Sequence, residues 1–216
     1  MKKKMLVPAL ILLSSTAFAQ VKFAPEVGLN MYNQTLTTTN TSTTGKMLPG
    51  LRVGIMADLP ITDHFAVQPG LLYNLNRTQT EMSWGNAVSV TANRSMHALQ
   101  IPVYFLYKSG TEGSGRFFGG IGPNFTYALS GNDHTTANVL GLNGDTDRKM
   151  KFGSDSGDDM KPFNVEGTVT LGYELASGAY IRANYNFGLL NQLPKGDSDN
   201  GLKNMSFGVS LGYLLK

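Results

Sequence analysis

The feature of this sequence that most constrains its fold is a set of long segments in which apolar and polar residues alternate. In residues 65–75 every odd position is apolar, whereas the even positions hold Ala, Gln, Gly, Leu and Asn. Side chains of a β-strand point alternately to its two faces, so this pattern predicts a strand with one apolar face and one polar or small face. Residues 51–59, 162–175 and 205–215 repeat the pattern.

The strands predicted in this way are too long for an ordinary soluble sheet. There are eight of them, near residues 22–36, 47–59, 64–78, 94–107, 116–129, 162–175, 179–189 and 203–215. Most strands of soluble proteins have ~5–6 residues, whereas a tilted strand needs ~9–11 residues to cross the hydrocarbon core of a bilayer. The lengths therefore favour strands that span a membrane.

The connections between these strands alternate between short and long. The short connections are residues 60–64, 108–115 and 176–178, and the long polar ones are residues 37–46, 79–93, 130–161 and 190–202. Outer-membrane barrels have short periplasmic turns at one rim and longer extracellular loops at the other. The four long connections are therefore predicted to be extracellular loops.

A sheet can cross lipid only if it closes on itself, because every backbone N–H and C=O must be paired within the protein. No segment after residue 19 approaches the ~20 consecutive apolar residues of a membrane helix. The predicted fold class is all-β: an eight-stranded, antiparallel, up-and-down transmembrane β-barrel.

The polar face of the strands is predicted to line the barrel interior, since side chains rather than water fill a barrel of eight strands. The proposed interior polar network consists of Glu26, Arg52, Asp58, Gln100, Glu166, Glu174 and Arg182. Arg52 and Arg182 are expected to pair with inward carboxylates, because an unpaired buried charge is costly. Inward glycines would make room for these long side chains.

The N-terminal residues 1–19 are predicted to be a cleaved signal peptide, which leaves residues 20–216 as the barrel domain. Three lysines precede an apolar stretch that ends at Leu13, and Ala17 and Ala19 offer small residues at the cleavage site. The whole chain has 18 basic and 15 acidic residues, so loss of those three lysines leaves a balanced charge. That balance argues against a nucleic-acid partner. The lack of cysteine excludes a small disulfide-stapled secreted domain.

No catalytic, cofactor-binding or metal-binding site is predicted. The chain has three histidines, which fall in a turn, on an outward strand position and in a long loop: His64, His97 and His134. The acidic loop that starts at Asp145 does not fit a calcium-binding EF-hand, because Met150 and Ser156 stand where its glycine and glutamate belong. Weak binding of a divalent ion by later aspartates of this loop stays open. The single tryptophan, Trp84, falls in a long connection and is a candidate contact for an extracellular partner.

Four segments carry a resemblance to a known family. They are residues 65–73 (F-x-V-Q-P-G-L-L-Y), 99–102 (L-Q-I-P), 117–123 (F-F-G-G-I-G-P) and 206–215. In these segments the chain resembles the small outer-membrane β-barrel proteins of the Bacteroidetes, a group described as PorT-like, and the resemblance covers nearly the whole mature chain. It implies a barrel in the cell outer membrane and little about activity, since a fold does not determine a function.

These observations together predict a non-enzymatic integral outer-membrane barrel with a structural role or a role in interactions made by its loops. It is expected to be a monomer that contacts outer-membrane lipid and lipopolysaccharide. One alternative is a narrow porin or small-solute transporter, which would need a continuous water path along the inward glycines. The other is a soluble, lipocalin-like binding barrel, in which the apolar face would line a cavity. In the lipocalin-like barrel, four apolar residues would point into the cavity: Val53, Leu71, Val169 and Leu211.

Overall fold

The computed structural model describes residues 21–84, 88–140, 142–197 and 199–215, so the predicted signal peptide lies outside the described residues. The strands are β1 (Lys22–Thr38), β2 (Thr41–Thr44), β3 (Lys46–Pro60), β4 (Phe65–Trp84), β5 (Val88–Lys108), β6 (Arg116–Val139), β7 (Leu142–Lys149), β8 (Phe163–Glu174), β9 (Ala179–Gly188) and β10 (Gly201–Tyr213). Among these residues, no helix has the length and apolarity of a membrane span.

Eight of the strands described above form a closed antiparallel ring. Each of β1, β3, β4, β5, β6, β8, β9 and β10 pairs with the next in that order, and β10 pairs with β1. The closing ladder runs from Glu26 opposite Gly212 to Thr37 opposite Gly201. Among the described residues, the short strand β2 pairs only with β1 and β7 only with β6, both outside the ring. The predicted eight-stranded up-and-down barrel is confirmed.

The apolar face of the barrel points outward. Four diagnostic residues on different strands have substantial exposed fractions: Val53 42%, Leu71 48%, Val169 45% and Leu211 60%. Their polar neighbours in the sequence, among them Arg52 and Thr170, are buried in the interior. A soluble barrel with an apolar cavity would have the opposite arrangement, so the lipocalin-like alternative is wrong.

The interior holds two buried apolar clusters as well as polar side chains. The one nearer the short turns contains Ala24, Met56, Leu72, Tyr104, Leu106, Phe118, Tyr180 and Leu214. The other lies below the opposite mouth and contains Tyr32, Met96, Ala128, Met150, Met160 and Leu202. The polar network described below lies between and around these clusters.

Three of the four predicted long loops are mostly strand, and that part of the prediction is wrong. Residues 37–46 include the end of β1, the whole of β2 and the first residue of β3. Residues 79–93 continue the β4–β5 ladder, from Gln79 opposite Asn93 to Trp84 opposite Val88. Residues 130–161 include the end of β6 and the whole of β7. Alternation of apolar and polar residues marks a strand only where its two faces meet different surroundings. In residues 77–81 and 131–136 neither face carries large apolar residues, so the pattern fades there although the hydrogen-bonded ladder continues. Residues 88–93 still alternate, but the segment is short.

The continued strands build a sheet that projects from the long-loop side. Strands β4, β5 and β6 have 20, 21 and 24 residues, whereas β8, β9 and β10 have 12, 10 and 13. We call the part formed by residues 77–84, 88–97, 131–139 and 142–149 the projecting sheet. Its eight or so extra residues per strand add about 25 Å of length at ~3.3 Å per residue. Trp84 is therefore the last residue of β4, at the tip of this sheet, rather than part of a loop.

Candidate functional site

The centre of the barrel contains one carboxylate between two arginines. Glu26 on β1 has its Oε1 3.5 Å from Nε of Arg52 on β3, and its Oε2 3.5 Å from Nε of Arg182 on β9. Tyr180 donates a 2.8 Å hydrogen bond from its hydroxyl to Oε2 of Glu26. All four residues are buried. Adjacent strands of the closed ring bring Glu26 and Arg52 together, and inward alternation on β9 brings Arg182 to the same level.

Other interior groups contact the two guanidinium groups, while Nε of each arginine and Nη1 of Arg182 make no hydrogen bond within the described residues. Arg52 donates to Oδ1 of Asn184 at 2.9 Å and to the Tyr104 hydroxyl at 3.1 Å, and Arg182 donates to Gln68. The Arg182 guanidinium lies 5.0, 5.4 and 5.3 Å from the ring centres of Tyr104, Phe118 and Tyr180. Aromatic faces attract cations, so these rings add to the stabilisation of Arg182 by Glu26, the carboxylate that lies between the two arginines. Gly212 makes room for this packing, since a Cβ there would overlap the Tyr180 ring.

A second charged group closes the barrel at the short-turn end. The Lys108 ammonium donates to both carboxylate oxygens of Asp58 at 2.8 Å and lies 3.6 Å from Glu174. Arg116 forms a 3.0 Å ion pair with the same Glu174. A cavity of about 640 Å³ opens at this rim, with Asp58, Lys108 and Arg116 in its wall. A smaller space of about 10 Å³ lies between Lys108 and Arg182.

A third interior group is rich in amides. Glu166 accepts hydrogen bonds from the side-chain amides of Asn124 and Asn204. Nearby, Asn74 donates to Gln100 at 2.8 Å. The structure thus places all seven residues of the proposed network inside the barrel, in three groups. Gln68 joins the first two groups, since it donates to Asp58 at 3.1 Å and accepts from Arg182. Inward alternation alone could have identified Tyr104 and Tyr180 as further members, whereas Lys108 lies at the start of a predicted short connection.

The opposite mouth is closed by residues 150–161, which we call the outer lid. Met150 and Met160 at its two ends are buried in the upper apolar cluster. Asp133 on β6 joins Arg94 and Arg148, with N–O distances of 2.7 Å to each. The described residues contain no group of three or more His, Cys, Asp or Glu that could hold a metal ion. The acidic segment is therefore anchored to the barrel at Met150 and Met160, while residues 154–157 between them are exposed.

Asp159 connects the outer lid to β7 in a way that depends on pH. Partial burial acts to raise the pKa of Asp159, but hydrogen bonds from the Lys151 amide and the Arg148 guanidinium outweigh it, and the pKa lies below its usual value. The lowered pKa means that the contact is fully stabilising above the ordinary aspartate pKa and is lost as the pH falls through the lower value. We expect the Lys151 amide, bonded to Asp159 at 2.7 Å, to lose hydrogen-exchange protection only in strong acid. In Asp159→Asn this amide should already exchange fast at neutral pH, and equal protection in both proteins would contradict the assignment.

The three histidines lie in three different places. His64 Nδ1 is 3.1 Å from the backbone oxygen of Lys108 at a short turn, and His97 bonds the Tyr73 hydroxyl on the outer wall. His134 lies on the projecting sheet with its Nδ1 2.7 Å from Asp147, whose carboxylate raises the pKa of this histidine. None of the three is brought next to another.

Comparison with known proteins places this fold among outer-membrane proteins. The sequence model of the family described as "Outer membrane protein beta-barrel domain" matches residues 18–214. Among solved structures, the chain is similar to Ail, the attachment invasion locus protein of Yersinia pestis, with a TM-score of 0.42 and 10% identity over 90% of this chain and 98% of that one. It is also similar to Neisserial surface protein A, with a TM-score of 0.43 and 10% identity over 89% of this chain and 99% of that one. For OprG from Pseudomonas aeruginosa the TM-score is 0.43 and the identity 13%, over 90% of this chain and 95% of that one. No curated protein matches the chain.

Proposed function

The chain belongs to the outer membrane protein β-barrel domain family, and on that premise we propose that it is a closed, non-enzymatic barrel that acts through its extracellular surface rather than through its lumen. Its location is the outer membrane. The proposed oligomeric state is a monomer, since the ring of eight strands closes by itself and leaves no barrel edge to pair with another copy. The motifs given above support a finer placement in the Bacteroidetes, PorT-like group.

The observation that carries this proposal is the filled lumen. From the short-turn end to the long-strand end, the axis passes the Lys108 ion pairs, the group around Glu26, the amides near Glu166 and the outer lid. The first three layers are held by hydrogen bonds or ion pairs between different strands, and the outer lid is held by the Arg148–Asp159 ion pair and the apolar cluster beneath it. A narrow porin would need a continuous water path through all four layers, and Asp58 and Lys108 of the first layer line the cavity at the short-turn rim.

The extracellular surface consists largely of the hydrogen-bonded strands of the projecting sheet rather than of loops. Strand β7 pairs only with β6 within the described residues, and all eight of its residues are exposed. An unpaired strand edge presents backbone N–H and C=O groups to which an extended segment of another protein can add. Near the tip, the axis-facing side of the projecting sheet carries apolar residues: Met82, Val90, Ala137, Val139 and Leu142. A protein partner is therefore the proposed ligand of this surface.

Planar-bilayer recording tests the closed lumen. We expect the full mature chain, inserted into a bilayer, to give no discrete conductance steps, because charged and amide layers block the axis. Heat-modifiable migration on a gel would verify that the sample is a folded barrel. Regular single-channel openings from such a sample would contradict the proposal and favour the pore.

A further inference from the structure

The outward apolar residues of the membrane-spanning strands form a belt around the barrel, which we call the apolar belt. Just above it, the outer wall carries one row of polar residues that spans four strands. Arg77 on β4 lies opposite Ser95 on β5, Ser95 lies opposite Asn132 on β6, and Asn132 lies opposite Lys149 on β7. We call these four residues the collar row. Neighbouring strands lie ~4.8 Å apart, so the Cα atoms of Arg77 and Lys149 are about 14 Å apart.

The height of the collar row follows from the residues beneath it. On β4, Arg77 is the first residue on the outward face after Leu75, the last of the alternating apolar residues that begin at Phe65. On β6, Leu129 is 54% exposed and Asn132 follows shortly after it. With the apolar residues in hydrocarbon, the collar row lies at the level of the lipid headgroups. His97 and Ser130, opposite each other one step below, continue the polar surface to the edge of the belt.

The two cations of the collar row have no counter-ion. Within the part of the chain that the structure describes, the side chains of Arg77 and Lys149 make no hydrogen bond or ion pair. Other cations near the collar row do have a counter-ion: Lys46 pairs with Glu81 at 2.6 Å, and Arg148 pairs with Asp133 at 2.7 Å. The carboxylate nearest along β7 on this face, that of Asp147, is bonded to His134. The row therefore presents two uncompensated positive charges with hydroxyl and amide groups between them.

We propose that the collar row binds the phosphorylated headgroup of a glycolipid in the outer leaflet. This inference rests on the proposed function, because the row faces that leaflet only if the projecting sheet is outside the cell. A guanidinium binds phosphate through two parallel hydrogen bonds, and a lysine ammonium adds a second point of attraction. Arg77 and Lys149 supply these groups, and Ser95 and Asn132 can bond sugar hydroxyls between them. The acyl chains would lie against the apolar wall below.

A titration with bisphosphorylated lipid A tests this site. The full mature chain, folded in detergent micelles, would be compared with the double variant Arg77→Gln/Lys149→Gln, and bound lipid would be counted by native mass spectrometry. A basic residue near an anionic lipid surface contributes enough for about a fivefold change in affinity, so the double variant should bind about 25-fold more weakly. Lys151→Gln removes an exposed cation of the outer lid, away from the wall, whose side chain has no partner among the described residues. This variant should bind like wild type.

Four outcomes would overturn the assignment. They are equal binding by the double variant, equal binding of dephosphorylated lipid A, complete displacement of lipid A by millimolar inorganic phosphate, and equal binding of phosphatidylglycerol. The last two would identify a soluble-anion site and general attraction to anionic lipid. Because the double substitution lies outside the barrel interior, heat-modifiable migration and outer-membrane fractionation should be unchanged. A variant that keeps both properties separates failure of this site from failure of the proposed function.

Discussion

Replacement of Glu26 by glutamine is expected to lower the free energy of unfolding by about 3–5 kcal/mol, the usual cost of removing one partner from a buried ion pair. The reason is that Arg52 and Arg182 both lose their nearby carboxylate while staying buried at 0% and 1% exposure. Glutamine keeps the shape of the side chain, so the change removes charge with little loss of packing. Equilibrium unfolding by guanidinium chloride in lipid vesicles would measure the effect.

Two further variants show whether the effect comes from the buried charges. Glu112 pairs with Lys22 at the exposed short-turn rim, so Glu112→Gln should cost no more than ~1 kcal/mol. The double variant Glu26→Gln/Arg52→Met removes one of the two stranded charges and should recover part of the loss. If Glu26→Gln unfolds within 1 kcal/mol of wild type, the pairing at the barrel centre is not what holds these strands in place.

The membrane-spanning part of this fold could be predicted closely because lipid and lumen impose different demands on alternate residues. Strand β8 was predicted at residues 162–175 and is observed at Phe163–Glu174, and β9 was predicted at 179–189 and is observed at Ala179–Gly188. The projecting sheet escaped prediction because residues 77–81 and 131–136 carry no large apolar side chains on either face, so the alternation that marks a strand is interrupted there.

The interior contacts illustrate a second limit of the sequence. Alternation shows that Glu26 and Arg182 both point inward, but it does not give their heights along the axis. Those heights depend on the stagger of neighbouring strands around the ring, which fixes the barrel geometry. The structure brings Glu26 next to Arg182 and leaves Glu166, equally buried, among amides instead. The division of the proposed network into three groups therefore required the strand register.

Arginine in place of Leu71 is expected to destabilise the barrel by about 2–4 kcal/mol in lipid, the cost of a basic residue on the lipid face at the bilayer midplane. Leu71 lies midway along the alternating residues 65–75 and opposite Ile55, another outward residue. Its exposed position means that arginine meets no steric barrier within the protein, so the loss would come from lipid alone. Guanidinium unfolding of the vesicle-inserted protein would give the value.

The matched control is Gln79→Arg, which places the same side chain on the same face of β4, eight residues further out on the projecting sheet. Near the interface and beyond it, the cost on the lipid face falls to ~0–1 kcal/mol, so this variant should be close to wild type. The difference between the two variants thus reports depth in the bilayer rather than the chemistry of arginine. Equal stability of Leu71→Arg and Gln79→Arg would mean that Leu71 does not face acyl chains, and the orientation of the barrel wall would have to be abandoned.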